Sequence, residues 1–179
     1  NGPWLTYKTH GGSAGLLRNG KGTTWEGGMR VPAIFWGAGI VSKSVNEMGS
    51  TLDLYPTFMS ISNISYKEDN ELDGVDLSDV LFNNGSSTRE VMPFYNGSEL
   101  YAFRYKNYKL HLKTSSWFSN VETHYPPLLF DLEIDPSEKH NIADKFPEKV
   151  EEIKKIAIDH INSFEPPESV LDYRNSKEF

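Results

Sequence analysis

Hydrophobic positions change their spacing along this chain, and each spacing predicts an element. Leu52, Tyr55, Phe58, Met59 and Ile61 recur at a near-helical interval, with Ser50 or Thr51 placed to cap, so residues 50–62 are expected to be a helix. After the turn-forming Asp73-Gly74-Val75-Asp76, residues 77–82 predict a short helical turn. Near residue 90 the period shortens. Residues 91–95, 100–105 and 108–113 are aromatic-rich, partly alternating runs, separated by Asn96-Gly97-Ser98-Glu99 and Lys106-Asn107, which read as hairpin connections. Residues 128–132 predict a further strand, ended by Asp135-Pro136-Ser137-Glu138. Pro147 then opens the clearest helix, with Val150, Ile153, Ile156, Ala157 and Ile161 on one face. The second half therefore predicts a small antiparallel sheet with one helix packed on it, and a polar tail from about residue 165.

The first thirty residues follow neither period. Gly11-Gly12-Ser13-Ala14-Gly15, Gly20-Lys21-Gly22 and Glu26-Gly27-Gly28 punctuate a long loop, and loops of that length are often functional. The apolar run at residues 31–36, bounded by turn signals, predicts a buried strand with Pro32 near its start.

Composition narrows the function classes. The 179 residues are 37% hydrophobic and 13% aromatic, enough for a packed core. The formal charge is −7 with no dense Lys/Arg run, which argues against nucleic-acid binding. An acidic chain that binds an anion needs a local cation. Cysteine is absent, so neither disulfides nor thiolate metal sites contribute. The chain begins at Asn1 without an initiator Met or a signal-peptide pattern, and no apolar run reaches transmembrane length. Asn63-Ile64-Ser65, Asn84-Gly85-Ser86 and Asn96-Gly97-Ser98 are acceptor sequons in turn-like contexts, which tilt the expectation toward a secreted or lysosomal protein, or a periplasmic one in a bacterium.

Lys21, between two glycines, is placed to present its ammonium to an anion, but the spacing is not that of a phosphate-binding P-loop. Taken alone, such a lysine is most often a solvated loop residue. The surrounding string changes that. Residues 11–32 read G-G-S-x-G-x-L-R-x-G-K-G-T-T-W-E-G-G-x-R-V-P, which closely resembles a signature of the type I sulfatases, the arylsulfatase A-like family of the alkaline phosphatase superfamily. Asn1-Gly2-Pro3-Trp4 resembles the end of that family's S/T-D-N-G stretch. The likeness continues, in the family's order, through residues 50–58, Leu72-Asp73-Gly74-Val75-Asp76-Leu77, and residues 124–132 with Asp135-Pro136.

The resemblance implies an α/β fold, here the C-terminal part of the sulfatase catalytic domain (residues 1–89), followed by a small α+β domain with an antiparallel sheet and a packed helix (90–165) and a polar tail (166–179). It implies sulfate ester hydrolysis in which a formylglycine attacks sulfur and Ca²⁺ with cationic side chains neutralises the oxygens. By that resemblance Lys21 is the catalytic lysine on the sulfate, and Asn1 is a metal ligand through its side-chain oxygen. His124, His10 and Trp4 are candidates to border the substrate; for each, a structural role stands beside the functional one. Asp53, Asp73, Asp76 and Asp131 read as caps and turn formers, and Glu26 with Arg30 as a pair that fixes the loop.

The family's C/S-x-P-x-R nucleophile motif and its Asp-Asp metal pair do not occur in this sequence. The chain is therefore expected to be a C-terminal segment, inactive by itself, whose partners are an N-terminal segment of the same enzyme and an aryl or carbohydrate sulfate ester, with a homo-oligomer left open. Two alternatives stand. One is a phosphate-ester hydrolase of the same superfamily. The other is a noncatalytic structural or carbohydrate-binding fragment using aromatics such as Tyr95, Tyr105, Tyr108 and Trp117.

Overall fold

A computed structural model of the chain describes residues 1–65, 72–116 and 119–164. The chain divides into two compact units, one made of Asn1–Val31 with the chain from Val91 onward, the other of Pro32–Glu90. Trp117 and the expected tail at 166–179 lie outside the described residues.

The first unit is built on a four-stranded antiparallel meander, β1 (Val91–Asn96), β2 (Glu99–Tyr105), β3 (Tyr108–Ser116) and β4 (Ser119–Asp131), in the order β1-β2-β3-β4. The two short connections anticipated from Asn96–Glu99 and Lys106-Asn107 close the first two hairpins, with Gly97 and Lys106 both at positive φ. Strand β4 begins well before the apolar stretch that suggested it.

Register decides what each face does. Leu110 pairs with Leu129 while the flanking Lys109 pairs with Phe130 and His111 with Leu128, so even and odd positions of β3 face opposite sides. On one side Leu110 and Leu129 join Phe103, Val150, Ile153 and Ala157 in the main core, beneath helix α4 (Pro147–Asn162). Pro147 stands at the first turn of α4, where its missing N–H loses no bond, and Glu148 follows in that turn. Ile153 is fully buried there, contributing roughly 2–3 kcal/mol of hydrophobic stabilisation. The other side of the sheet carries a second, smaller cluster of Trp25, Phe130 and Leu132. It is roofed by the glycine-rich segment, which is not wholly irregular: residues Leu5–His10 form 3-10 turns, and Glu26–Met29 a single helical turn, α1.

The second unit holds helices α2 (Leu54–Ile61) and α3 (Ser78–Phe82), preceded by a 3-10 turn at Thr51–Asp53. The Ser50 hydroxyl accepts from the Leu52 amide, and Asp53 Oδ2 accepts from the Ser50 amide, a reciprocal cap. Fully buried, Asp53 also accepts from the Val75 amide at 2.8 Å and pairs with Arg89 through the Nε–Nη2 edge of its guanidinium. Thr57 extends the staple, donating to the Asp53 carbonyl and accepting from the Leu77 amide. The family-like motif around residue 53 thus ties α2, the turn at Val75 and Arg89 together. Asp76 and Asp131 accept from the Ser78 and Glu133 amides, the turn-forming work expected of them.

One sequence expectation is overturned. Residues 31–36 are not a buried strand: no ladder includes them, and Ile34 and Trp36 are 93% and 94% exposed. An apolar run satisfies the pattern of a buried strand, but a strand needs a neighbour to pair with, and no described strand pairs with this segment.

Candidate functional site

The glycine-rich loop is held in one conformation by its own backbone. The Gly2 amide donates to the Gly28 carbonyl at 2.9 Å, and the Lys21 amide to the Pro3 carbonyl at 2.8 Å, so the first residues of the chain run beside the Lys21 turn. The Gly27 amide closes on the Arg18 carbonyl at 2.8 Å, making residues 18–27 a closed loop with Lys21 within it. These approaches require glycine. A Cβ at Gly2 would stand 1.7 Å from the Gly27 carbonyl oxygen, and one at Gly27 would stand 2.3 Å from the carbonyl oxygens of both Arg18 and Asn19.

Four of the residues singled out in the sequence share this loop. Lys21 is partly buried, and its Nζ lies 4.9 Å from the centroid of the Trp4 ring, in cation–π geometry. Trp4 in turn packs edge-on against Tyr7, with ring centroids 4.7 Å apart. His10, at the end of the 3-10 segment, and Asn1 are exposed. The fifth, His124, is held by the sheet: its Nε2 hydrogen-bonds the Thr114 hydroxyl at 2.9 Å, across the β3–β4 ladder, and its Nδ1 lies 3.9 Å from Glu122.

Below the loop lies a charged cluster that the sequence patterning did not reveal. Lys109 and His111, on the odd face of β3, are fully buried, as are Glu26 on α1 and Glu138 on the turn after β4. The Lys109 ammonium sits 2.9 Å from Glu26 Oε1 and 3.4 Å from Glu138 Oε1. His111 Nε2 is 2.7 Å from Glu138 Oε1, and Trp25 stacks on the His111 ring with centroids 4.2 Å apart. Glu138 Oε2 accepts from the Glu26 amide at 2.6 Å, while the Glu138 carbonyl accepts from the Arg18 guanidinium at 2.8 Å. The Arg18 guanidinium also lies over the Trp25 ring, 3.7 Å from its centroid. The expected pairing of Glu26 with Arg30 is present at 3.9 Å, a longer contact than that to Lys109.

The ionisation states follow from burial and these bonds. Burial drives the pKa of His111 from 6.5 down to about 4, although its bond to Glu138 pulls the other way. His111 is thus neutral near pH 7, with Nε2–H donating to the carboxylate and Nδ1 left as a buried acceptor without a donor among the described residues. Burial would raise the pKa of Glu138, but the His111 hydrogen bond and the Lys109 charge outweigh it and hold the carboxyl below its ordinary value. Two carboxylates then face one ammonium, and Arg30 and the neighbouring Arg104 supply the remaining positive field around Glu26.

A divalent cation such as calcium needs several hard oxygen donors converging on one point. Among the described residues no group of three or more His, Asp or Glu side chains is arranged to hold a metal ion. Asn1 offers one hard oxygen, and one neutral oxygen does not hold calcium, which takes 6–8 oxygen ligands. The buried carboxylates do not substitute for it, since each is already engaged with a cation or an amide. The described residues do not fit a calcium ion by themselves.

Comparison with known proteins gives a consistent result. The family described as the C-terminal region of aryl-sulfatase matches residues 87–178. Arylsulfatase A of Bos taurus is 37% identical over 181 aligned positions, covering 88% of this chain and 36% of that protein. The Homo sapiens arylsulfatase A is 35% identical over the same shares. N-acetylgalactosamine-6-sulfatase of Mus musculus is 30% identical, covering 96% of this chain and 38% of its own length. The chain therefore spans little more than a third of the curated relatives it matches. Among solved structures, a sulfatase from Pseudoalteromonas sp. superposes with a TM-score of 0.72 at 28% identity, covering 81% of this chain and 32% of that one.

Proposed function

Since the chain belongs to the sulfatase family, by the C-terminal region of aryl-sulfatase that it contains, we propose that it forms the C-terminal portion of an enzyme that hydrolyses sulfate esters, with Lys21 as a catalytic cation on the sulfate. The observation that carries this reading is the loop in which Lys21 is bonded through its amide to Pro3 and faces the Trp4 ring. Sulfate ester cleavage shifts charge onto sulfuryl and leaving-group oxygens, and a fixed ammonium aimed at them stabilises the transition state more than the ground state. The Trp4 face restrains the Lys21 side chain, and a lysine restrained before substrate arrives needs less reorganisation during reaction. Trp4, His10 and His124 are proposed to border the substrate.

Calcium and formylglycine, which the family resemblance implies, are assigned to sequence outside this chain, with Asn1 contributing at most one oxygen. On this reading the chain alone has no turnover, and its partner is the remainder of the same enzyme. Exposed apolar side chains support that view. Leu52, Tyr55, Phe58 and Ile61 lie along α2 and its preceding turn, all about half exposed, while Ile34 and Trp36 are almost fully so. No helix among the described residues is long and apolar enough to cross a membrane, and the Asn63, Asn84 and Asn96 sequons are all exposed; a secreted or lysosomal location is proposed.

The carbohydrate-module alternative has less support. Tyr95, Tyr105 and Tyr108 pack against the core rather than forming an open platform. A side-by-side assay of the full-length enzyme on an aryl sulfate and the matching aryl phosphate tests the proposal. Preferential sulfate hydrolysis is expected; preference for the phosphate would move the protein to the phosphatase branch.

A further inference from the structure

The closed loop that carries Lys21 is fastened at both of its ends to a single residue. Arg18, at one end, donates to the Glu138 carbonyl; the Glu26 amide, near the other, donates to the Glu138 carboxylate. The two loop ends are also joined directly, by the Gly27 amide on the Arg18 carbonyl. Glu138 is held in turn. Its backbone adopts φ 50°, in the left-handed region that a residue with a Cβ occupies at a cost, and its amide bonds the Asp135 carbonyl. Its carboxylate is fixed on the other side by Lys109 and His111, which stand on β3, the best-paired strand of the sheet.

We propose that Glu138 and Lys109 are positioning residues for Lys21: the buried Glu26–Lys109–Glu138 linkage sets the height and angle of the loop above the sheet, and so where the Lys21 ammonium meets the sulfate. This rests on the catalytic reading of Lys21. A pure packing role would be met by an apolar cluster, which has no directional bonds to transmit. Here each contact has a direction, and both loop ends depend on the same residue. A shift of about 1 Å in a catalytic group costs on the order of 100-fold in rate, so loosening this fastening acts on turnover through Lys21.

The test is a double-mutant cycle in the full-length enzyme, with kcat per folded molecule measured on a series of aryl sulfates. Glu138→Gln and Arg18→Met are each made alone and on Lys21→Ala. Arg18 is exposed, and its replacement removes the guanidinium with its bond to Glu138 and its contact over Trp25 while leaving the buried cluster intact, so Arg18→Met carries the cycle if Glu138→Gln does not accumulate. Each is expected to lower kcat about 10- to 100-fold in the wild-type background, to lower it more for poor leaving groups than for good ones, and to change it less than about twofold on Lys21→Ala. Equal losses in both backgrounds, or no loss in either, would overturn the positioning role while leaving Lys21 in place. Unchanged turnover in Lys21→Ala itself would overturn the catalytic reading and the positioning role together.

Discussion

The Glu138 carboxylate accepts the amide of Glu26 at 2.6 Å, although the two residues stand 112 positions apart in the chain. This bond joins the turn after β4 to the loop that carries Lys21, and the charged cluster around it can be tested without substrate.

Removing Lys109 leaves Glu26 and Glu138 facing each other with no ammonium between them. Lys109→Ala is expected to destabilise the unit by about 3–5 kcal/mol, the range for breaking a buried ion pair. Urea unfolding measures it. Replacing Lys109, Glu26 and Glu138 together by Met, Gln and Gln is expected to recover much of that loss, because no buried charge is then unpaired.

Acid acts through His111 and Glu138 in the same direction. His111 takes up protons near pH 6.5 when unfolded but only near pH 4 when folded, so stability is full above about pH 6.5 and falls as pH drops toward 4. The shift corresponds to about 3 kcal/mol. Glu138, held below its ordinary value, adds to the loss at still lower pH. His111→Phe is expected to flatten the slope between pH 6.5 and 4 in unfolding titrations; an undiminished slope would place the acid sensitivity elsewhere.

In the second unit, Asp53 serves two amides and Arg89 at once. Asp53→Ala is expected to cost about 3–5 kcal/mol, since it takes the carboxylate away from a nearly buried guanidinium and the acceptor away from two amides. Limited proteolysis should then cut within residues 32–90 before the sheet is attacked.

The exposed Asn63, Asn84 and Asn96 are each open to a glycosyltransferase. Material from a eukaryotic secretory host is expected to lose mass on enzymatic deglycosylation, and an Asn→Gln change at each occupied site should remove one increment.

The helices and the meander were legible because their signals are local. The α4 face and the two hairpin connections need nothing beyond period and turn chemistry. What was hidden depended on distant partners. Lys109 and His111 alternate with Leu110 and Leu112, a pattern that ordinarily means one solvated face; here that face is buried by Trp25 and Glu26, from a segment more than eighty positions away. A Lys and a His on one strand face were the available signal, and Glu26 was assigned to Arg30 rather than to them. Lys21 stood out as a candidate through the motif around it, whereas the bonds from Glu138 to its loop had no local signal. The run at residues 31–36 was misread for the converse reason: its pattern suits a strand whose partner is not among the described residues.

The measurement that bears most directly on the proposed function is turnover of an aryl sulfate by the full-length enzyme carrying Lys21→Ala. Lys21 is partly buried in a loop fixed by backbone bonds, so its truncation should leave the melting temperature close to that of the wild type. The expected result is a folded protein whose kcat falls by about 100-fold or more, the loss typical of removing one group that stabilises transition-state charge. A folded Lys21→Ala enzyme that turns over within about twofold of wild type would contradict the assignment.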